Sequence, residues 1–527
     1  RKNFQGNRAM NPIREKLQNF RHSLYCLFEK RADTLFNLLD ALCRDGHQYK
    51  SVVELSQSSS FDRQYSSITD GIARGLRSAD FKRIEALIFE ATRAAPSIPH
   101  LFFTDCTANP RPYAKTLSER GIVHAPNPAP GNRPICVGHQ YSLLAMAPHG
   151  ARSKKGRWLI PLSMERVPIN KKGNEFGMKQ IIDSIKELHI EDELCLSTGD
   201  SLYGSEACRR AAVEKKNLVH QFRLTNKRKL FQQPQHLKIQ GVGRKKLFGD
   251  KILLSDENTL PEPALIQNTT MKTASGTEYQ VELSLFKDLL LRGSKEFASQ
   301  NHPLNVLRAI VKDPNGQPVF QRPLWIGLIG ERRDEITPKM AYESYKTRYD
   351  IEHLFRFGKQ KLLLNAYQTP EVKHEEDWWR FVPLAYTQLY LASGLASLLP
   401  KPWERYLPTY KEPSEQELLG KTPTQVQRSF ANILELIGTP AKPSNPRGRP
   451  VGRSNGTLMD KREASAIHFK SSKTQLESRK SISNTSENKL GLPEGKDIAL
   501  ILNRLKINLK KHGLSESDFI QMLISSA

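Results

Sequence analysis

From about residue 10 to residue 95, apolar side chains recur at steps of three and four: Leu24, Leu27 and Phe28, then Leu35, Leu38, Leu39 and Leu42. That period is helical, so residues 1–95 are expected as a helical N-terminal region. Met10 reads as a natural start, which leaves RKNFQGNRA ahead of it without structural meaning. Inside the region, SVVELSQSSSFDRQYSSITDGIARGL reads as a short helix, a turn and a second helix. Helix-turn-helix units share this pattern with any small bundle.

Beyond residue 98 the pattern shortens. HLFFTD, VGHQYSLLAMA, GRWLIPLSMERVPI, ELCLSTGD and LVHQFRLT are short apolar runs with the character of strands. Helical stretches at 174–190 and from Ser201 alternate with them, which argues for an α/β sheet over 96–228. Residues 229–322 break the rhythm with β-rich stretches and the turns ASGT and DPNGQP, so they read as an inserted β-rich module. PLWIGLIG resumes the core at 323–400, where residues 376–398 form a buried helix. A helical extension (401–440), a basic flexible linker (441–490) and a C-terminal helical segment (491–527) complete the expected order. No internal repeat is visible.

The charge balance narrows the partners. Eighty Lys and Arg oppose 55 Asp and Glu, a formal net charge of +25, which favours a polyanion: nucleic acid or an anionic membrane surface. No apolar run approaches the length of a membrane span, so no membrane partner is expected and nucleic acid is favoured. DNA binding is therefore assigned to the N-terminal region. The linker adds eleven Lys/Arg against four Asp/Glu and contains PRGRP, whose Arg447 and Arg449 resemble the core of an AT-hook that lies in a narrow minor groove. Six cysteines lack paired or zinc-binding spacing, as in the free thiols of a reducing compartment.

Three carboxylates stand out. Asp105 and Asp200 each end a short apolar run, at the edge where α/β sheets gather their sites. Either one alone reads equally as a turn or helix cap. Glu352 follows the last strand in YKTRYDIEHLFRFGK. There Tyr345, Arg348, Glu352 and Lys359 share one helix face, with Ile351, Leu354, Phe355 and Leu362 on the other. Three clustered carboxylates cannot stay ionised unpaired, and oxygen-ligated Mg²⁺ or Mn²⁺ is the natural counter-charge.

The spacing Y-x2-R-x3-E-x6-K, preceded by FFTDCT and LSTGDSLYG, resembles the DDE transposases of the insertion-sequence-4-like family over residues 96–400. All four signature positions match. The resemblance implies a ribonuclease H-like mixed sheet with an inserted β-rich module, flanked by helical N- and C-terminal regions. It implies that Asp105, Asp200 and Glu352 bind two Mg²⁺ ions (Mn²⁺ substituting), and that Tyr345, Arg348 and Lys359 hold backbone phosphates. Arg348 has a plainer alternative, pairing with Glu352 or Asp350. Trp325 is either a platform for a flipped-out base, as in relatives that work through a DNA hairpin, or a core residue of its strand. His139 lies on a neighbouring run and reads as structural.

The implied activity is cut-and-paste transposition: hydrolysis and strand transfer at terminal inverted repeats of double-stranded DNA, and insertion into target DNA, by a homodimer in a synaptic complex. The implied setting is the nucleoid of a prokaryotic cytoplasm. A metal-dependent nuclease without strand transfer and a domesticated DNA-binding protein are the alternatives. Three intact carboxylates argue against the last.

Overall fold

In a computed structural model, the described residues are 2–93, 99–124, 134–148, 158–234, 247–272, 276–399, 406, 421–445, 454, 456 and 461–469, with side chains from 12 onward. The PRGRP motif, with Arg447 and Arg449, and the 491–527 segment lie outside them.

The N-terminal region folds into α1 (Lys2–Cys26), α2 (Ala32–Asp45), the one-turn α3 (Ser66–Asp70) and α4 (Phe81–Thr92). α1 runs through Met10, so the residues ahead of it continue the same helix. The anticipated short helix, turn and second helix is present as a 3-10 turn over Val53–Gln57 and as α3, which continues without a break through π- and 3-10-helical turns over Gly71–Ser78. Those turns lie against the α1–α2 connection and the start of α2. A Cβ at Gly75 would meet the Lys30 carbonyl oxygen at 2.9 Å, and one at Gly71 the Thr34 side chain at 3.1 Å.

The sheet is built from β1 (His100–Pro110), β2 (Gly121–His124), β3 (Ile135–Met146), β4 (Ile160–Arg166), then α5 (Gly173–Glu187), β5 (Cys195–Gly199), α6 (Glu206–Val213) and β6 (Leu218–Leu224). β4, β3 and β1 pair antiparallel, while β5 and β6 run parallel to β1. The order β4-β3-β1-β5-β6, with α5 crossing from β4 to β5, is ribonuclease H-like.

After a two-stranded ribbon of β7 (Lys229–Phe231) and β8 (Lys251–Leu253) come β9 (Leu265–Lys272), β10 (Glu278–Leu289), β11 (Leu304–Lys312) and β12 (Leu324–Ile329). β12 pairs antiparallel with β6, then β11, β10 and β9 follow in turn. Among the described residues, three strands of the expected insertion therefore extend the central sheet, and the ribbon forms a separate small sheet. The reason is packing: β6 and β12 leave free edges, and Val281, Leu283 and Leu307 bury their apolar faces with Ile326 and Leu328. Asp313 Oδ1 accepts the N–H groups of Asn315 and Gln317 in the DPNG turn, where Gly316 adopts φ 80°.

The chain closes with α7 (Pro338–Thr347), α8 (Asp350–Lys361), α9 (Val372–Leu391), α10 (Ser393–Leu398) and α11 (Pro423–Ile437). Thr422 and Gln425 form a capping box at the start of α11. The helices share a continuous core with the sheet, in which Leu24, Phe36 and Leu42 join Trp378, Phe381 and Phe430. Two pieces of the expected linker lie against this unit. The backbone N–H of Lys442 donates to Asp33, and residues 461–469 run beside β2, where the His468 N–H donates to the Arg120 carbonyl.

α9 is fastened by a buried carboxylate. Glu375 is fully buried and accepts from Arg111 Nε (2.9 Å), His139 Nδ1 (2.8 Å) and the Tyr141 hydroxyl (2.9 Å). His139 Nε2 faces the Ser118 carbonyl at 3.0 Å, so the ring spans two acceptors. Trp379, one turn on, stacks on Tyr141 at 4.0 Å. Burial alone would raise the Glu375 pKa, but the hydrogen bond and charge of His139 and the charge of Arg111 outweigh it and hold the carboxyl down at about 2. Its contribution to stability is therefore full above its ordinary value of 4.5 and lost as pH falls towards 2. Glu375→Gln, which leaves Arg111 buried without its counter-charge, should cost about 3–5 kcal/mol at pH 7. Urea unfolding from pH 7 to 2.5 should show a steep acid loss in the wild type that flattens in the variant.

Candidate active site

The site begins with the register of two parallel strands. His100 pairs with Cys195 and Phe103 with Thr198. Two residues further on, Asp105 stands level with Asp200, which follows β5 directly. Neighbouring strands lie about 4.8 Å apart, and side chains at the same level of a parallel pair share a face. The GDSLYG segment explains its own composition. A Cβ on Gly199 would meet the Tyr203 side chain at 2.5 Å, so only glycine lets that ring turn underneath. There the Tyr203 hydroxyl lies 3.3 Å from Thr104 Oγ1. Asp200 Oδ1 accepts the Leu202 N–H at 2.8 Å, closing the turn, and Ser205 caps α6.

The third carboxylate comes from above the sheet. The expected single helix is two, α7 and α8, joined at Arg348 and Tyr349. The bonds Ile351 N–H to Arg348 O and Glu352 N–H to Tyr349 O are of the tighter i→i−3 kind. Arg348 and Tyr349 keep helical backbone, so the chain tightens here without leaving the helical path. Tyr345 is buried at 3% exposure in the core beneath α7, while Glu352 is exposed in the first turn of α8. Ile351, Leu354, Phe355 and Leu362 are buried.

Arg348 fills the gap. Its guanidinium carbon lies 5.8 Å from the Tyr345 ring centre and 5.5 Å from that of Tyr349. Nη1 stands 3.4 Å from Asp105 Oδ2, long for a hydrogen bond but close for an ion pair. Of the two readings open for Arg348, the described geometry pairs it with a carboxylate, and that carboxylate is Asp105.

Asp105 carries the electrostatic signature of the site. Burial raises its pKa to about 6; the Cys106 N–H and the Arg348 charge oppose the rise, and the charges of Asp200 and Glu352 add to it. Asp200 and Glu352 are thus both within electrostatic reach of Asp105. In their present rotamers Asp105 and Asp200 are turned to Cys106, Arg348 and Leu202. Among the described residues no three His, Cys, Asp or Glu side chains converge as a ready-made metal site. In kind, three oxygen-only donors with excess negative charge fit a hard divalent cation.

Lys359 reaches from α8 to β1, where Nζ donates to Thr107 Oγ1 at 2.7 Å and to the Ala108 carbonyl at 3.1 Å. Thr107 is two residues beyond Asp105 on the same strand face, about 7 Å along it. Burial lowers the Lys359 pKa. Trp325 lies elsewhere: it is 1% exposed on β12, 6.0 Å from the Phe286 ring. It sits in the core, with no face open to a base. Arg223 was missed by sequence reasoning. Gly199 pairs with Phe222, so exposed Arg223 stands level with Asp200 on the next strand, and its charge reaches Tyr345. The only signal was a lone arginine near the end of an apolar run.

Residues 23–282 match the family described as DDE superfamily endonuclease. This match supports a DDE transposase-like relationship for a range that holds Asp105 and Asp200; Glu352 and the rest of the Y-R-E-K signature lie beyond it. No curated protein matches the chain.

The raised pKa carries a sign for stability. Because the Asp105 value of about 6 exceeds the ordinary 3.8, the fold favours the protonated acid. That contribution is present below pH 3.8 and lost as pH rises through 6. Asp105→Asn should therefore stabilise the protein at pH 7, by up to about 2–3 kcal/mol. Urea unfolding at pH 4 and pH 7 checks it, because the gain should be much smaller at pH 4.

Proposed function

We propose that the protein is a DDE transposase that cuts DNA at the ends of a mobile element and joins the freed end to a new site. The observation that carries this reading is the level placement of Asp105 and Asp200, with the charge of Glu352 acting on Asp105. Asp105, Asp200 and Glu352 would hold Mg²⁺ or Mn²⁺, two ions in the family's scheme. When bound, the metal supplies a nucleophile at neutral pH and neutralises charge on the transferring phosphoryl group.

The chain's own residues do the rest. Arg348, whose Nη1 lies 3.4 Å from Asp105, would offer its guanidinium to a backbone phosphate beside the carboxylates. Tyr345 and Tyr349 keep that guanidinium over the site. Lys359 and exposed Arg223 flank the carboxylates along the sheet edge and fix the register of the DNA. Synapsis of two ends calls for two copies, so the working form is a homodimer on terminal inverted repeats. No helix among the described residues is long and apolar enough to cross a membrane.

A nuclease that stops after hydrolysis is the second reading, and the description of the matched family as an endonuclease favours it. One assay separates the two. Purified protein with Mg²⁺ is incubated with labelled duplexes taken from the DNA flanking its coding sequence, and products are resolved on denaturing gels. Wild type should nick the strand and then yield a hairpin or a joined product. Glu352→Gln should lower nicking by about a hundredfold or more, the loss of roughly 3 kcal/mol of transition-state stabilisation. Nicks without joining would select the nuclease; binding without any nick would contradict both.

A further inference from the structure

α6 follows closely on Asp200 and carries two consecutive arginines with different surroundings. Arg210 pairs with Glu206 at 3.2 Å and Glu296 at 3.5 Å. Arg209 is 1% exposed. Its Nη2 reaches the Arg292 carbonyl at 3.4 Å, and its guanidinium carbon lies 5.6 Å from the Phe297 ring centre. Nε and Nη1 have no hydrogen-bond partner among the described residues. Glu206, the acid that acts on it, already accepts the Ser294 N–H at 2.8 Å, the Ser294 hydroxyl at 2.6 Å and Arg210.

A buried cation whose acidic neighbour is already shared among other donors is under-compensated, and proteins avoid that unless something supplies more counter-charge. Here burial and the like charge of Arg228 push the Arg209 pKa down to about 10. Above it the surface adds positive charge. Arg228 and Arg292 are exposed, and so are Lys227 and Lys229. Arg292 lies 5.1 Å from the Phe231 ring centre, and Phe231 and Leu290 exchange backbone hydrogen bonds of 2.9 and 2.8 Å. This pairing fixes both cation-bearing loops to one another. The chain reaches Arg228 only five residues after Arg223, so the cluster starts from the carboxylate edge of the sheet.

We propose that Arg209, Arg228 and Arg292 form an anion site that takes a backbone phosphate of duplex DNA lying across the active-site edge. Arg228 and Arg292 meet the phosphate at the surface, and Arg209 supplies a fixed, poorly screened charge below them. The identity of the duplex as ligand rests on the reading of the protein as a DNA-cutting enzyme.

The test uses the full chain, with Arg209→Met and the double variant Arg228→Ala/Arg292→Ala. Binding of an unrelated 30-base-pair duplex is followed by fluorescence anisotropy over a range of KCl concentrations. The double variant should bind more weakly and reduce the slope of log K against log salt by about 2. Thermal unfolding with and without inorganic phosphate, at constant ionic strength, reads the buried member. Arg209→Met should unfold at the wild-type temperature or above it without phosphate, and should lose the wild-type gain with phosphate. An unchanged salt slope in the double variant would overturn the site. So would an Arg209→Met protein that melts lower yet keeps its response to phosphate. A phosphate response with unchanged duplex binding would mark a small-anion site and overturn the assignment to DNA. Nicking by wild type is scored separately: nicking with unchanged binding sinks this site alone, and altered binding without nicking sinks the reaction alone.

Discussion

The parallel pairing of β1 with β5 is the constraint on which the rest of the site depends. It sets two aspartates at one level of adjacent strands, where their charges oppose each other and burial strengthens the opposition. Everything nearby accommodates that arrangement. Gly199 admits the Tyr203 ring below the turn, the Cys106 and Leu202 N–H groups each satisfy one carboxylate oxygen, and the junction of α7 and α8 delivers Arg348 to Asp105. A sheet slipped by one residue along this pair would place the two side chains on opposite faces and dissolve the site.

Two carboxylates packed against the same sheet show how surroundings decide a role. Glu375 meets an arginine, a histidine and a tyrosine, stays ionised far into acid, and ties α9 to β3 and the end of β1. Asp105 meets one arginine and two like charges, and its pKa is pushed up to about 6. The first is a fastening. The second is an unfavourable arrangement of the folded chain that a divalent cation would relieve, as expected where function sets the geometry.

Much of this was legible in the sequence because it is local. The apolar run ending in Asp200 gave the end of β5 and the 3.6-residue period gave α5, α8 and α9, whereas β1 continues five residues past Asp105 to Pro110 because β3 pairs with it that far. What was not legible depends on partners distant in sequence. β9 to β11 were read as a separate module because turn chemistry shows hairpins but not which free edge they join. Tyr345 was placed beside Arg348, and the two side chains do meet, but its burial beneath the helix depends on core partners distant in sequence. Trp325 carried two open readings, and pairing with β6 and β11 puts it in the core. Arg223 and Arg209 gave almost no signal, since a single arginine in a strand or short helix is ordinary until the strand register and the unpaired guanidinium nitrogens are seen.

The most direct measurement maps the metal site on the chain itself. Fe²⁺ substituted for Mg²⁺, with ascorbate and peroxide, cuts the backbone beside the ion, and the fragments are identified by mass. The account predicts cuts close to Asp105, Asp200 and Glu352 together, suppressed by excess Mg²⁺ and lost in Asp200→Asn. Cuts confined to other regions, or cuts near these residues that excess Mg²⁺ leaves unchanged, would contradict it.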